Sequence, residues 1–170
     1  MRKPIAITGM GVVSPFGIGV EPFWAALLAG RSAIADIAGF DTTGFSFTRA
    51  GEVKLGDLSG VAAAAIDPAT VFALTACREA AVQAGISGCV AAETGVVLAT
   101  NFGGSASAEA LFAQLAGSGA ATVRDAHEYH YQTAADHVAA GLAIGGPRSV
   151  LSLSCASGTA ALAFAADLFH

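Results

Sequence analysis

Cys155 stands in the run Ser152-Leu153-Ser154-Cys155-Ala156-Ser157-Gly158-Thr159, where an apolar β-like stretch gives way to small residues that open a helix. Such a strand-to-helix elbow exposes a sulfur and sets it near backbone N–H groups that a first helical turn leaves unpaired. The positive end of the helix dipole favours thiolate over thiol, and small neighbours let a substrate come close to the backbone. The chemistry that fits is nucleophilic attack on an activated carbonyl, with an N–H of the same elbow facing the developing oxyanion. Local sequence leaves one alternative, a buried core cysteine, because free cysteine is among the most buried residue types. Cys77 and Cys89 have no elbow and are assigned to packing.

Two other patterns are weaker. Gly9-Met10-Gly11 follows a short apolar run, as in a dinucleotide fingerprint, but Ser14 holds the third position and Pro15 and Gly17 interrupt the helix that should follow. A turn is the better reading. His127, His130 and His137 have a spacing that could hold zinc on a helix. No cysteine pair or His-Glu-x-x-His signature accompanies them, and Tyr129 and Tyr131 interrupt the set. Surface or half-buried histidines are the expectation there. Asp125, Glu128 and Asp136 lie nearby and receive no acid–base role.

The elements that must position these residues alternate between β-like and helical runs, the signature of an α/β fold. Ile5–Thr8 reads as a first buried strand and Glu21–Ala29 as a helix ending at Gly30. Residues 36–60 are turn-rich and only loosely assigned. Asp67 is a good N-cap with Pro68 behind it, and the helix stops at Gly85, with Val71, Leu74, Ala81 and Val82 on one face and Cys77 at its edge. Gly95–Thr100 reads as a buried strand that meets the turn Asn101-Phe102-Gly103-Gly104, followed by a helix to about Leu115. His127–Gln132 reads as irregular and Thr133–Gly141 as a helix. The last strand is placed at Val150–Ser154, and the last helix opens around Ala156.

Composition narrows the classes. Of 170 residues, 54% are hydrophobic and 12% charged, which excludes a disordered chain. Eight Lys and Arg, without a basic run, argue against a nucleic-acid surface. Three cysteines do not make a disulfide framework and suit a reducing cytoplasm. The uncharged stretch Ser149–Ala166 is long enough on paper to span a bilayer, yet its four serines, threonine and glycine make it a strand running into a helix. Soluble domains carry roughly a quarter charged residues; a chain at half that level implies extra apolar surface and a large subunit interface.

Taken together, the residues resemble the N-terminal half of a β-ketoacyl-acyl-carrier-protein synthase, the elongating condensing enzyme of fatty-acid and polyketide synthesis. The resemblance rests on Ile5-Ala6-Ile7-Thr8-Gly9-Met10-Gly11-Val12-Val13-Ser14-Pro15-Phe16-Gly17, on Phe23–Ser32, on Asp67-Pro68, on Gly103-Gly104, on Gly146-Pro147 and on Cys155-Ala156-Ser157-Gly158, in family order. It implies an α/β thiolase-like fold, layered α/β/α, of which residues 1–170 would form the N-terminal domain, cut within the helix after the nucleophile. It also implies that Cys155 accepts an acyl group from a thioester and that its own N–H serves an oxyanion hole. Phe102 falls where related synthases place a residue gating the acyl pocket near the dimer interface; otherwise it merely packs.

The same resemblance implies decarboxylative condensation with a malonyl thioester, no metal and no organic cofactor. Its implied partners are an acyl carrier protein and a second synthase chain, as homodimer or heterodimer, with no nucleic acid and no membrane, in the cytoplasm. The family's two catalytic histidines and its lysine belong to the other half, and none of His127, His130, His137 or His170 matches their motifs. Where the family has a Pro-Asn-Met-like run, this chain reads Tyr131-Gln132-Thr133. The alternative within the family is a non-catalytic partner subunit, which usually lacks the cysteine. A coenzyme A-dependent acyltransferase of the wider superfamily is a third, less favoured by the Gly9–Gly17 opening.

Overall fold

The computed structural model describes residues 4–58, 66–86, 94–117 and 119–169. Irregular backbone leads to a hairpin, β1 (Val13–Ser14) and β2 (Gly17–Ile18), and to helix α1 (Val20–Leu28). A short antiparallel pair, β3 (Ala35–Asp36) and β4 (Arg49–Ala50), precedes a 3-10 turn at Leu55–Leu58 and helix α2 (Pro68–Gln83). Then come β5 (Val96–Ala99), α3 (Ser105–Gly117), α4 (Val123–Glu128), α5 (Tyr131–Gly141), β6 (Arg148–Leu151) and α6 (Ser157–Asp167).

β5 and β6 pair in parallel, from Val96↔Arg148 to Ala99↔Leu151, so the three intervening helices form the crossover of a β-α-β unit. Helices α5 and α6 both pack against this pair, and α2 packs on α5. The core lies between them: Leu74, Val96, Ala135, Val138 and Ala139 are buried, with Cys77, Leu98 and Val150 packed around them. Alanines and Gly141 let α2 and α5 approach closely. A Cβ at Gly141 would sit 2.7 Å from the Leu74 side chain.

Helix α2 begins as its sequence dictates. Asp67 is buried, and one carboxylate oxygen accepts from the Ala69 N–H at 2.9 Å. The other accepts from the Ser107 N–H at 2.9 Å, so a single cap joins the start of α2 to α3. Farther along α2, Glu79 accepts from the N–H groups of Val12 and Val20, both at 2.8 Å, and Gln83 from that of Met10. The N-terminal segment and the start of α1 are thereby tied to α2.

Four expectations change. Ile5–Thr8 is not a strand: among the described residues it has no ladder partner, and Ile7 is 75% exposed. Instead Ile7–Gly9 borders a cleft of about 370 Å³ shared with α2 and β5. Val82 is 70% exposed, because the last turns of α2 present the Ala76 and Ala80 carbonyls to the Gly11 and Gly9 backbone. The supposedly irregular His127–Gln132 contains the end of α4 and the start of α5. A capping box between Thr122 and Asp125 starts α4, a signal present in the sequence at the right spacing. The last strand runs over Arg148–Leu151 and ends before Ser152. Cys89 and His170 lie outside the described residues.

The Glu79 clamp is testable. Glu79→Ala leaves two N–H groups without their acceptor and is expected to lower stability by about 1–3 kcal/mol, read from the urea midpoint. An unchanged midpoint would show that solvent replaces the clamp at no cost.

Candidate active site

The parallel register carries two sequence candidates to one edge. Leu151 O accepts from the Thr100 N–H at 3.1 Å, one step past the last paired residues, and both chains then turn away from the strands. One turn is Asn101–Gly104, with Phe102; the other is Ser152–Ala156, with Cys155.

The second turn is a tight elbow. Ser154 has φ +52°, an uncommon left-handed conformation for a residue with a side chain. Ser157 is buried at the head of α6 and holds the elbow closed: its hydroxyl accepts from the Leu153 N–H at 2.7 Å and donates to Ser154 O at 2.7 Å. Main-chain bonds from Ala156 to Leu153 O and from Ser157 to Ser154 O complete the turn. Cys155 is left exposed at its apex. The N–H groups of Gly158 and Thr159 have no acceptor among the described residues, as a first helical turn requires. A Cβ at Gly158 would meet open space. The arrangement leaves an exposed cysteine just ahead of a first helical turn whose N–H groups at Gly158 and Thr159 lack an acceptor among the described residues.

Phe102 is 74% exposed on a loop seated against the α4–α5 corner. Gly103, at φ +54°, donates to Thr100 Oγ1, and a Cβ there would lie 3.0 Å from the Tyr131 ring. A Cβ at Gly104 would lie 2.5 Å from Glu128 O. In the sequence Tyr131 marks a departure from a family run and an interruption of the histidine set. Its hydroxyl in fact donates to Asn101 O at 2.9 Å.

The remaining candidates separate. Gly9 and Gly11 lie against α2, and the hairpin β1–β2 follows them, so the helix that a dinucleotide site needs is not there. Cys77 packs at the edge of the core. His137 and Glu128 form a pair at 3.0 Å, with Glu128 7% exposed and His127 Nδ1 4.0 Å from the same carboxylate. His130 stacks on Tyr129. Among the described residues no group of three His, Cys, Asp or Glu is placed to hold a metal ion. Asp125 caps α4, its carboxyl held below the usual range by the Thr122 backbone and hydroxyl, and Asp136 pairs with Arg148 at 2.9 Å. No described helix is long and apolar enough to cross a membrane.

Comparison with known proteins places the chain in a family. Residues 2–169 match a family model described as β-ketoacyl synthase, N-terminal domain. A protein of Streptomyces rimosus named for an oxytetracycline polyketide β-ketoacyl synthase is 34% identical over 179 residues, covering 98% of this chain and 42% of its own length. The 3-oxoacyl-[acyl-carrier-protein] synthase 2 of Vibrio cholerae is 53% identical over 53 residues, 31% of this chain and 13% of that one. Among solved structures, the ishigamide ketosynthase/chain length factor superposes with a TM-score of 0.79 at 25% identity, over 89% of this chain and 40% of that one. The chain thus spans less than half the length of these relatives, and its fold is thiolase-like, as the resemblance implied.

The two described thiols differ in a way that alkylation reads. Burial pushes the Cys77 thiol above the ordinary cysteine range, whereas Cys155 is exposed. A raised thiol pKa leaves less thiolate at any given pH, so iodoacetamide near pH 8 is expected to modify Cys155 well before Cys77. Peptide mapping of a time course checks the order. Equal rates would contradict the burial of Cys77.

Proposed function

The chain belongs to the β-ketoacyl synthase family, and from that premise we propose that it carries the acyl-accepting nucleophile of a decarboxylative condensation. The observation that supports this reading most directly is the exposed Cys155 at the head of α6, on an elbow braced by Ser157. The Cys155 thiolate attacks the carbonyl carbon of an acyl thioester and forms a C–S bond. The tetrahedral oxyanion collapses as the carrier thiolate leaves, giving an acyl-enzyme. Loss of carbon dioxide from a malonyl thioester then generates a carbanion equivalent that attacks the acyl carbon. The product is a β-ketoacyl thioester, and the Cys155 thiolate is released.

The groups that assist decarboxylation are not assigned to this chain. The thioester itself supplies the activation for the first step, so that step calls on no metal or organic cofactor. An acyl carrier protein is the proposed donor of both thioesters, in fatty-acid or polyketide synthesis. A second synthase-like chain, identical or not, is the proposed partner. Phe102, beside the strand that neighbours the Cys155 strand, is proposed to limit the acyl length admitted.

Exposure of the full chain, within its condensing assembly, to an acyl thioester is expected to add one acyl mass by intact-mass spectrometry. Cys155→Ala is expected to abolish the adduct and condensation together. Retained condensation in that variant would sink the assignment. A folded assembly that never acylates at Cys155 would favour the non-catalytic partner reading.

A further inference from the structure

We propose that Tyr131 is a positioning residue that fixes the Phe102 loop from beneath and so sets which acyl lengths the site accepts; the second half of this inference rests on the gating role proposed for Phe102. The loop touches the α4–α5 corner at Asn101, Gly103 and Gly104. Asn101 O accepts from the Tyr131 hydroxyl at 2.9 Å, Gly103 lies on the Tyr131 ring and Gly104 on the Glu128 carbonyl. At both glycines a Cβ would come within 3.0 Å of the corner, closer than side chains settle without displacement. The two glycines therefore make the seat possible, and the Tyr131 ring is its floor.

The corner is itself held firm. Thr133, 1% exposed, donates its hydroxyl to His127 O at 2.6 Å, and its N–H bonds to His130 O at 3.1 Å. The buried Glu128 carboxylate is paired with His137. On the other side, Thr100 Oγ1 accepts from the Gly103 N–H at 2.9 Å and ties the loop to the end of β5. Phe102 projects from a four-residue turn anchored at both ends, with its ring exposed. An exposed ring on a loose turn would sample many positions and discriminate poorly between chain lengths. Anchored, the backbone from which the ring projects is held in one place.

Two variants of Tyr131 separate its hydroxyl from its ring. Tyr131→Phe removes the hydrogen bond and keeps the floor, and is expected to raise amide exchange at Gly103 by about three- to tenfold, as loss of one modest hydrogen bond allows. Tyr131→Ala is expected to raise it further. Exchange at Val138 and Ala139 in the core is expected to stay unchanged in both, which separates a positioning effect from general unfolding. Within the condensing assembly, Tyr131→Ala is expected to shift the ratio of kcat/KM for long over short acyl thioesters in the same direction as Phe102→Ala. Unchanged Gly103 exchange in both Tyr131 variants would overturn the positioning role. A ratio that moves in Phe102→Ala but not in Tyr131→Ala would overturn the link to selectivity and leave Phe102 as the gate. A ratio unmoved by Phe102→Ala would overturn the gating role itself, with Gly103 exchange still deciding whether Tyr131 holds the loop.

Discussion

The parallel pairing of Val96–Ala99 with Arg148–Leu151 is the constraint on which the rest depends. Parallel strands finish at the same edge, so whatever follows each of them in sequence is delivered to the same side. Here that is Phe102 on one chain and Cys155 on the other, 53 residues apart in sequence and brought to adjacent turns. The crossover between them also supplies the α4–α5 corner that supports the Phe102 loop. A one-residue slip in the ladder would turn the strand side chains to opposite faces. Val96 could then no longer meet Val138 and Leu74 in the core.

Close backbone approach is the second theme. Gly9 and Gly11 lie on the carbonyls of α2, Gly141 on Leu74, and Gly103 and Gly104 on the α4–α5 corner. A methyl group would collide with backbone at Gly9, Gly11 and Gly104, and would press on the Leu74 side chain at Gly141 and on the Tyr131 ring at Gly103. These contacts are small in area, yet they settle how near the helices and turns sit. They account for five of the 21 glycines in the chain. The Gly9-Met10-Gly11 motif belongs to this group: its glycines admit a helix, and no nucleotide site is built on them.

The low charge content finds its place at the surface. Trp24, Phe112, Leu162 and Phe169 are all more than half exposed, and α1, α3 and α6 each carry such residues. With 12% charged residues there is too little polar surface to cover the fold. Composition alone led to that expectation, and the exposed side chains meet it. The polar groups that are buried have work to do: Asp67 and Ser157 close turns, and Glu128 pairs with a histidine.

Much of this was legible in the sequence because its causes are local. Asp67-Pro68 starts α2, Gly85 stops it, and the small residues after Cys155 open α6, each through groups a few residues apart. The same is true of the cysteine at the elbow and of the overall β-α-β order. What tertiary structure decided lies between distant residues. Ile5–Thr8 has strand-like composition, but a strand forms only where a partner accepts its hydrogen bonds, and none does among the described residues. Val82 sits on the apolar face of α2, yet the backbone of residues 9–11 packs against a different edge of that helix. Tyr131 gave no signal of its own, because its hydroxyl meets a carbonyl 30 positions away, a distance that only the crossover closes. Local chemistry wrote the elbow and its cysteine; the folded crossover alone placed an aromatic ring beneath the neighbouring loop.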